Sequence, residues 1–190
     1  MMKVLLHICC GPCAIYPASL LREEGFEVEG FFYNPNIHPY SEYIKRYDAV
    51  LAASERLNLN TIYHRYDFER FLKFVSCVED RARQHSLCWR IRLEETAKAA
   101  CDHGIGAFTT TLLSSPYQDI DEIARLGREI AQGRGLEFIV RDFRKGFAQS
   151  HKLSREWELY HQNYCGCIYS EKESVEQRNK KRSLDARPKP

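Results

Sequence analysis

The chain has 190 residues, 28% charged and 44% hydrophobic, with a net charge of +2 at pH 7. That length suffices for one domain with a substantial core, and the charge balance excludes a globally basic nucleic-acid binder. No apolar run approaches the roughly 20 residues of a membrane-spanning helix, and residues 1–10 are too short for a secretory signal, so the expected compartment is the cytoplasm.

Near the start, Val4, Leu5, Leu6 and Ile8 form the short apolar run of a strand covered on both faces. Gly11 permits an unusual backbone angle and Pro12 suits the first turn of a helix. Cys9, Cys10 and Cys13 therefore fall where the carboxyl end of a strand meets the amino end of a helix. Open α/β sheets bind ligands in that crevice, and the helix dipole favours thiolate there. A helix over about 13–24 stops at Gly25. A second strand, 28–33, runs into the turn-rich Asn34-Pro35-Asn36-Ile37-His38-Pro39. Ser41 caps a helix to about 57, residues 61–64 give a third strand, and Asp67 caps a helix through about 78. Residues 79–87 read as irregular, and a long helix runs from Cys88 to Gly104. A fourth strand, 107–111, leads into Leu112-Leu113-Ser114-Ser115-Pro116-Tyr117-Gln118, a helix over 119–132 follows, and 136–140 form a fifth strand.

Strands alternating with helices predict an α/β protein with a doubly wound parallel sheet. From about residue 142 the chain reads as a mostly helical extension, with Cys165-Gly166-Cys167 in a break between helices. Residues 1–177 are expected to form a single domain. Residues 178–190, with six basic side chains against Asp185, read as a flexible basic tail.

The cysteines stand at 9, 10, 13, 77, 88, 101, 165 and 167. In a reducing compartment that usage points to metal binding or redox chemistry rather than structural disulfides. Cys10-Gly11-Pro12-Cys13 alone has the form of a thioredoxin-like dithiol, but three thiols in five residues, with further thiols elsewhere, favour metal ligation. His85-Ser86-Leu87-Cys88 has metal-ligand spacing, and histidine can replace cysteine at iron–sulfur sites. Cys165-Gly166-Cys167 either ligates a metal or cycles through a strained, easily reduced disulfide. Cys77 and Cys101, each alone in a helix, read as packing residues. Of the tyrosines at 33, 40, 47, 117, 160, 164 and 169, Tyr33 and Tyr117 are the foremost candidates to stack on a nucleobase, since their strands end at the expected site. Arg90, Arg92 and the basic tail are the expected phosphate contacts.

Five stretches taken together resemble the cobalamin-independent epoxyqueuosine reductase family, QueH. They are Cys9-Cys10-Gly11-Pro12-Cys13, the run from Phe32 to Pro39, the run from Thr109 to Gln118, Asp142-Phe143-Arg144-Lys145-Gly146, and the run from Gln162 to Ser170. The resemblance implies reduction of epoxyqueuosine to queuosine at the wobble position of tRNA, with a 4Fe-4S cluster and an additional iron ion. The electron donor is unidentified, and no membrane is involved. It implies the Rossmann-like fold of adenine-nucleotide hydrolases, although cysteines occupy the turn where those proteins carry an ATP-binding loop. Carried over by position, Cys9, Cys10 and Cys88 would hold the cluster, and Cys165 with Cys167 would form a redox-active pair. His85 stands where the family usually has a cysteine, which leaves His85, Cys13, Cys165 or Cys167 to complete the metal site. Asp142, Tyr33 or His38 would supply protons, and Tyr33, Asn34, Asn36, Tyr117 and Arg144 would contact substrate. Two other readings of the same thiols are a dithiol oxidoreductase acting on proteins and a zinc-stabilised tRNA-binding module.

Overall fold

A computed structural model describes residues 1–185; the end of the expected basic tail, 186–190, lies outside the described residues. Five parallel strands form one sheet in the order β3-β2-β1-β4-β5. They are β1 (Lys3–His7), β2 (Glu27–Phe32), β3 (Thr61–Tyr63), β4 (Ala107–Thr110) and β5 (Glu137–Phe138). The helices are α1 (Gly11–Glu23), α2 (Tyr40–Arg56), α3 (Phe68–Val75), α4 (Arg81–Asp102), α5 (Ile120–Gln132), α6 (Phe147–Glu156) and α7 (Ile168–Asp185). Strand order reverses between β1 and β4, as the doubly wound reading requires.

β1 lies at the centre, its Val4 registered against Val28 on one side and Ala107 on the other. Val4, Leu5 and Leu6 are fully buried because helices cover both faces. α1 packs against α2 and α6, while α4 packs against α3, α5, β1 and β4. Gly11 opens α1 where it meets α2: a Cβ at that position would stand 2.4 Å from the Ala49 carbonyl oxygen. The two backbones touch, and only glycine leaves the space.

The segment 79–87 departs from expectation. It is not an irregular loop: α4 begins at Arg81, with the Asp80 side chain accepting the Arg83 N–H at 2.6 Å. Polar helix formers had concealed the first two turns of a helix that carries its apolar face only from Cys88 onward. His85 and Cys88 consequently lie one turn apart on one helix. The basic stretch beginning at residue 178 continues α7 as far as Asp185. Cys77 and Cys101 are exposed rather than packed, each standing at a helix end that faces solvent.

Candidate metal and thiol centre

β1 ends at His7, and the next residues turn into α1. His7 is buried between Thr110 Oγ1, 2.8 Å from Nδ1, and the Tyr33 carbonyl, 3.1 Å from Nε2. This ties together the ends of the three adjacent strands β1, β2 and β4. Burial pushes its imidazole down to about 4, so it is neutral. The Asn34 amide donates to the Ile8 carbonyl at 2.8 Å. Cys9 N–H donates to Thr111 Oγ1 at 2.9 Å. The thiol turn thus sits at the point where strand order reverses, fixed from both sides.

Cys9, Cys10 and Cys13 bring their sulfurs within 4.8 Å of one another. Hydrogen bonds from Cys10 and Cys13, and from the Thr111 hydroxyl at 3.2 Å, hold the Cys9 thiol well below its ordinary value. Burial pushes Cys10 up, and Gln162 Nε2 donates to its sulfur at 3.0 Å. Of the triad, Cys9 is the thiol held low and Cys10 the one that burial raises.

Cys88, Cys165 and Cys167 line a separate cavity of about 170 Å³, whose wall also includes His85, Arg92, Asn36 and Tyr117. Burial pushes the Cys88 thiol up to about 12. Burial and the neighbouring Arg81 push His85 down, toward the neutral imidazole that ligates metal. Arg92 connects the two thiol groups: its guanidinium is within electrostatic range of Cys88, Cys165, Cys9 and Cys167. Cys165 and Cys167 are free thiols.

The segment carrying Cys165 and Cys167 has no regular structure and is held from outside. Arg46 on α2, 2% exposed, donates to the Cys165 carbonyl at 2.8 Å and the Tyr164 carbonyl at 3.0 Å, while Glu42 fixes its Nε at 2.8 Å. His38 N–H donates to the Gly166 carbonyl at 2.7 Å, and the Tyr164 hydroxyl donates to the His38 carbonyl. Gly166 has φ +135°, and a Cβ there would approach Asn36 Nδ2 at 3.0 Å. Gln118 accepts from Trp89 Nε1 at 2.7 Å and donates toward Cys165 Sγ at 3.8 Å.

Not every expected site residue is brought to this centre. Tyr33 is 1% exposed, and burial raises its phenol to about 12; its place is the core. Asn34 donates its amide to the Ile8 carbonyl and, like Asn36, has a buried Oδ1 with no partner; of the two, Asn36 lines the cavity. Tyr117, 88% exposed, stands at the rim. Asp142 and Arg144 pair with each other at 2.8 Å on the surface, outside the cavity wall, and the guanidinium holds the carboxyl below its usual range. Tyr40 and Tyr47 belong to another groove with Tyr43, Tyr63 and Tyr66. Of the two arginines expected to contact phosphate, Arg90 stands at the surface in an ion pair with Glu129 at 2.9 Å, and Arg92 is buried. Sequence reading missed Thr111, Gln118 and Gln162 as sulfur partners. All three lie within the family-like stretches, where they were legible only as text.

A family model described as epoxyqueuosine reductase QueH matches residues 4–173. A protein of Thermotoga maritima named epoxyqueuosine reductase QueH is 37% identical over 88% of this chain and 89% of its own length. The Dehalococcoides mccartyi protein of that name is 36% identical over 90% of this chain and 93% of its own. The Helicobacter pylori protein is 38% identical over 93% of this chain, which corresponds to 51% of that longer protein. Among solved structures, the chain superposes on the U34-tRNA thiolase NcsA of Methanococcus maripaludis, solved with its [4Fe-4S] cluster. The TM-score is 0.56 at 16% identity, over 94% of this chain and 66% of that one. A predicted tRNA methyltransferase subunit of Methanocaldococcus jannaschii gives 0.56 at 14% identity, over 82% of this chain and 75% of that one. These two likenesses establish the Rossmann-like fold.

Proposed function

The chain belongs to the epoxyqueuosine reductase QueH family, a family of oxidoreductases, and on that premise we propose that it reduces epoxyqueuosine to queuosine in tRNA with an iron–sulfur cluster. The observation that carries the metal reading is six thiols in two groups, both within range of one buried arginine. A dithiol exchanger needs two. The donor set fits a thiophilic iron site, because soft thiolates and imidazole are the ligands such clusters take.

In this reading Cys9, Cys10 and Cys88 hold a 4Fe-4S cluster, with His85, one turn before Cys88 on α4, as the fourth ligand. Cys13, Cys165 and Cys167 remain for an additional iron, or for a dithiol that relays electrons. When bound, the cluster supplies electrons, and an additional iron would supply a Lewis acid for the epoxide oxygen. The reaction takes two electrons and two protons; the C–O bonds of the epoxide break, an alkene forms and the oxygen leaves as water. An external reductant supplies the electrons. The protein's own share is placement: Tyr117 at the rim offers a face to stack on the base, and the unpartnered Asn36 Oδ1 accepts from a substrate hydroxyl or amine. Asp142, ion-paired outside the cavity, is not the proton donor in this scheme; a proton would come from a Cys165–Cys167 thiol. The protein would act in the cytoplasm, where its tRNA substrate resides; among the described residues no helix is long and apolar enough to cross a membrane.

Anaerobically purified protein is expected to be brown, with about four irons and matching sulfide per chain, and to convert epoxyqueuosine-containing tRNA in a single turnover. Iron in excess of sulfide supports the additional ion. Colourless protein with stoichiometric zinc and full turnover would remove the cluster reading.

A further inference from the structure

Arg92 is 1% exposed, among the largest side chains wholly inside the molecule. Its Nε donates to the Cys88 carbonyl at 3.1 Å and its Nη2 to Cys88 Sγ at 3.3 Å, which folds the guanidinium back over α4 and toward the cavity. Among the described residues the other buried arginine, Arg46, has a carboxylate, Glu42, at 2.8 Å. Among the described residues, no carboxylate lies within ion-pair distance of Arg92. What surrounds it is sulfur, namely Cys88, Cys165, Cys9 and Cys167. A guanidinium cannot shed its proton to escape the cost of burial. A fold keeps such a group only where an anion pairs with it. Protonated thiols do not supply one; thiolates holding a metal centre do.

We infer that Arg92 is the fixed counter-charge of the centre: a positioning residue that stabilises the anionic cluster and eases its reduction. The inference rests on the iron–sulfur reading above. Taking up an electron makes a thiolate-ligated cluster more negative, so a permanent positive charge beside it favours the reduced form. The grip on both the carbonyl and the sulfur of Cys88 explains why arginine serves here: its fork fixes the ligand as well as the charge.

The test uses Arg92→Gln and Arg92→Lys in the full chain, loaded anaerobically with iron and sulfide. The readouts are iron and sulfide content, cluster midpoint potential by spectroscopic titration, and thermal unfolding of the metal-free protein. In Arg92→Gln the equilibrium constant for one-electron reduction should fall at least tenfold, a lowering of about 59 mV. Arg92→Lys, which keeps the charge, should remain near wild type. Metal-free Arg92→Gln should melt no lower than wild type, because an unpaired buried cation has been removed. If Arg92→Gln does not load, Arg92→Lys decides: loading with a near-native potential supports the inference, and failure to load overturns it. An unchanged potential in fully loaded Arg92→Gln also overturns it. So does a marked drop in the melting point of the metal-free variant, which would make Arg92 a strut. Loss of tRNA affinity with a smaller salt slope at an unchanged potential would assign the charge to a phosphate instead. Wild-type protein that binds no iron–sulfur cluster would be a failure of the underlying reading, seen before any variant is made.

Discussion

The two thiol groups reach the same charged residue by opposite means. Cys9, Cys10 and Cys13 grow out of the sheet: β1 delivers them, α1 starts among them, and Thr111, the residue after β4, supplies the hydroxyl that holds Cys9. Cys165 and Cys167 have no strand or helix beneath them; their segment is held by Arg46 and His38, more than a hundred positions away along the chain, the latter also accepting from the Tyr164 hydroxyl. The first group inherits the rigidity of the core; the second is as rigid as a handful of buried hydrogen bonds. A ligand that must hold a cluster belongs in the first setting, and a group that must change redox state or move belongs in the second.

The largest expected effect follows from that contrast. Cys9→Ala, Cys10→Ala or Cys88→Ala should lose iron and turnover together, whereas Cys165→Ala or Cys167→Ala should keep most of the iron while turnover collapses. Iron, sulfide and single-turnover conversion on all five variants check it; equal iron loss in both sets would erase the distinction. Next comes the clamp. Arg46→Met leaves Glu42 buried without its partner and frees two carbonyls, so about 3–5 kcal/mol of stability should go, together with turnover. Glu42→Gln added to Arg46→Met should recover part of the stability and none of the turnover, as a denaturation series alongside the assay would register.

Gly166→Ala tests the same segment more gently. Alanine at φ +135°, crowded by Asn36 and Ile37 at 3.0 and 3.1 Å, should cost about 1–3 kcal/mol and slow turnover at unchanged iron content. The smallest effect is expected at Thr111→Val, which removes a hydrogen bond worth about 1 kcal/mol from the Cys9 sulfur and strands the Cys9 N–H. Cys10 and Cys13 hold the Cys9 thiol down most, and Thr111 adds to them. Its loss moves the thiol upward, so the pH at which metal uptake is half complete should rise. A lower or unchanged midpoint in a pH series of iron loading would show that Thr111 does not set the thiolate.

How much of this was legible follows the same division. The strand–turn–helix at residues 4–13 announces itself through Val4, Leu5 and Leu6, then Gly11 and Pro12, because a buried parallel strand and a helix start are both local patterns. The order of the sheet and the helices that cover it follow from alternation. Nothing local marks Arg46 or Arg92 as buried: Arg46 reads as an ordinary i,i+4 partner of Glu42 with no sign of its reach to the distant Tyr164 and Cys165 carbonyls, and Arg92 takes the carbonyl and sulfur of Cys88 rather than an acid. Asp142 and Arg144 show the converse, a pair outside the cavity wall. They lie in a family-like stretch, but two residues apart they satisfy each other. Tyr33 follows a strand end, yet its ring turns back against Phe31 and His64 rather than into the cavity.

The contact at Gly11 has a consequence for anyone wishing to transplant this centre. Because α1 begins with its backbone against the Ala49 carbonyl, the thiol turn cannot be cut out as a strand–turn–helix cassette. A recipient sheet must also bring a helix that follows the path of α2. That helix carries Arg46, whose reach to Cys165 fixes where the second thiol group stands relative to the first. α2 therefore serves as the gauge block of the site, touching one thiol group through bare backbone and the other through a guanidinium. In a saturation library, position 11 should accept no substitute, while exposed Cys77 and Cys101 should accept nearly all.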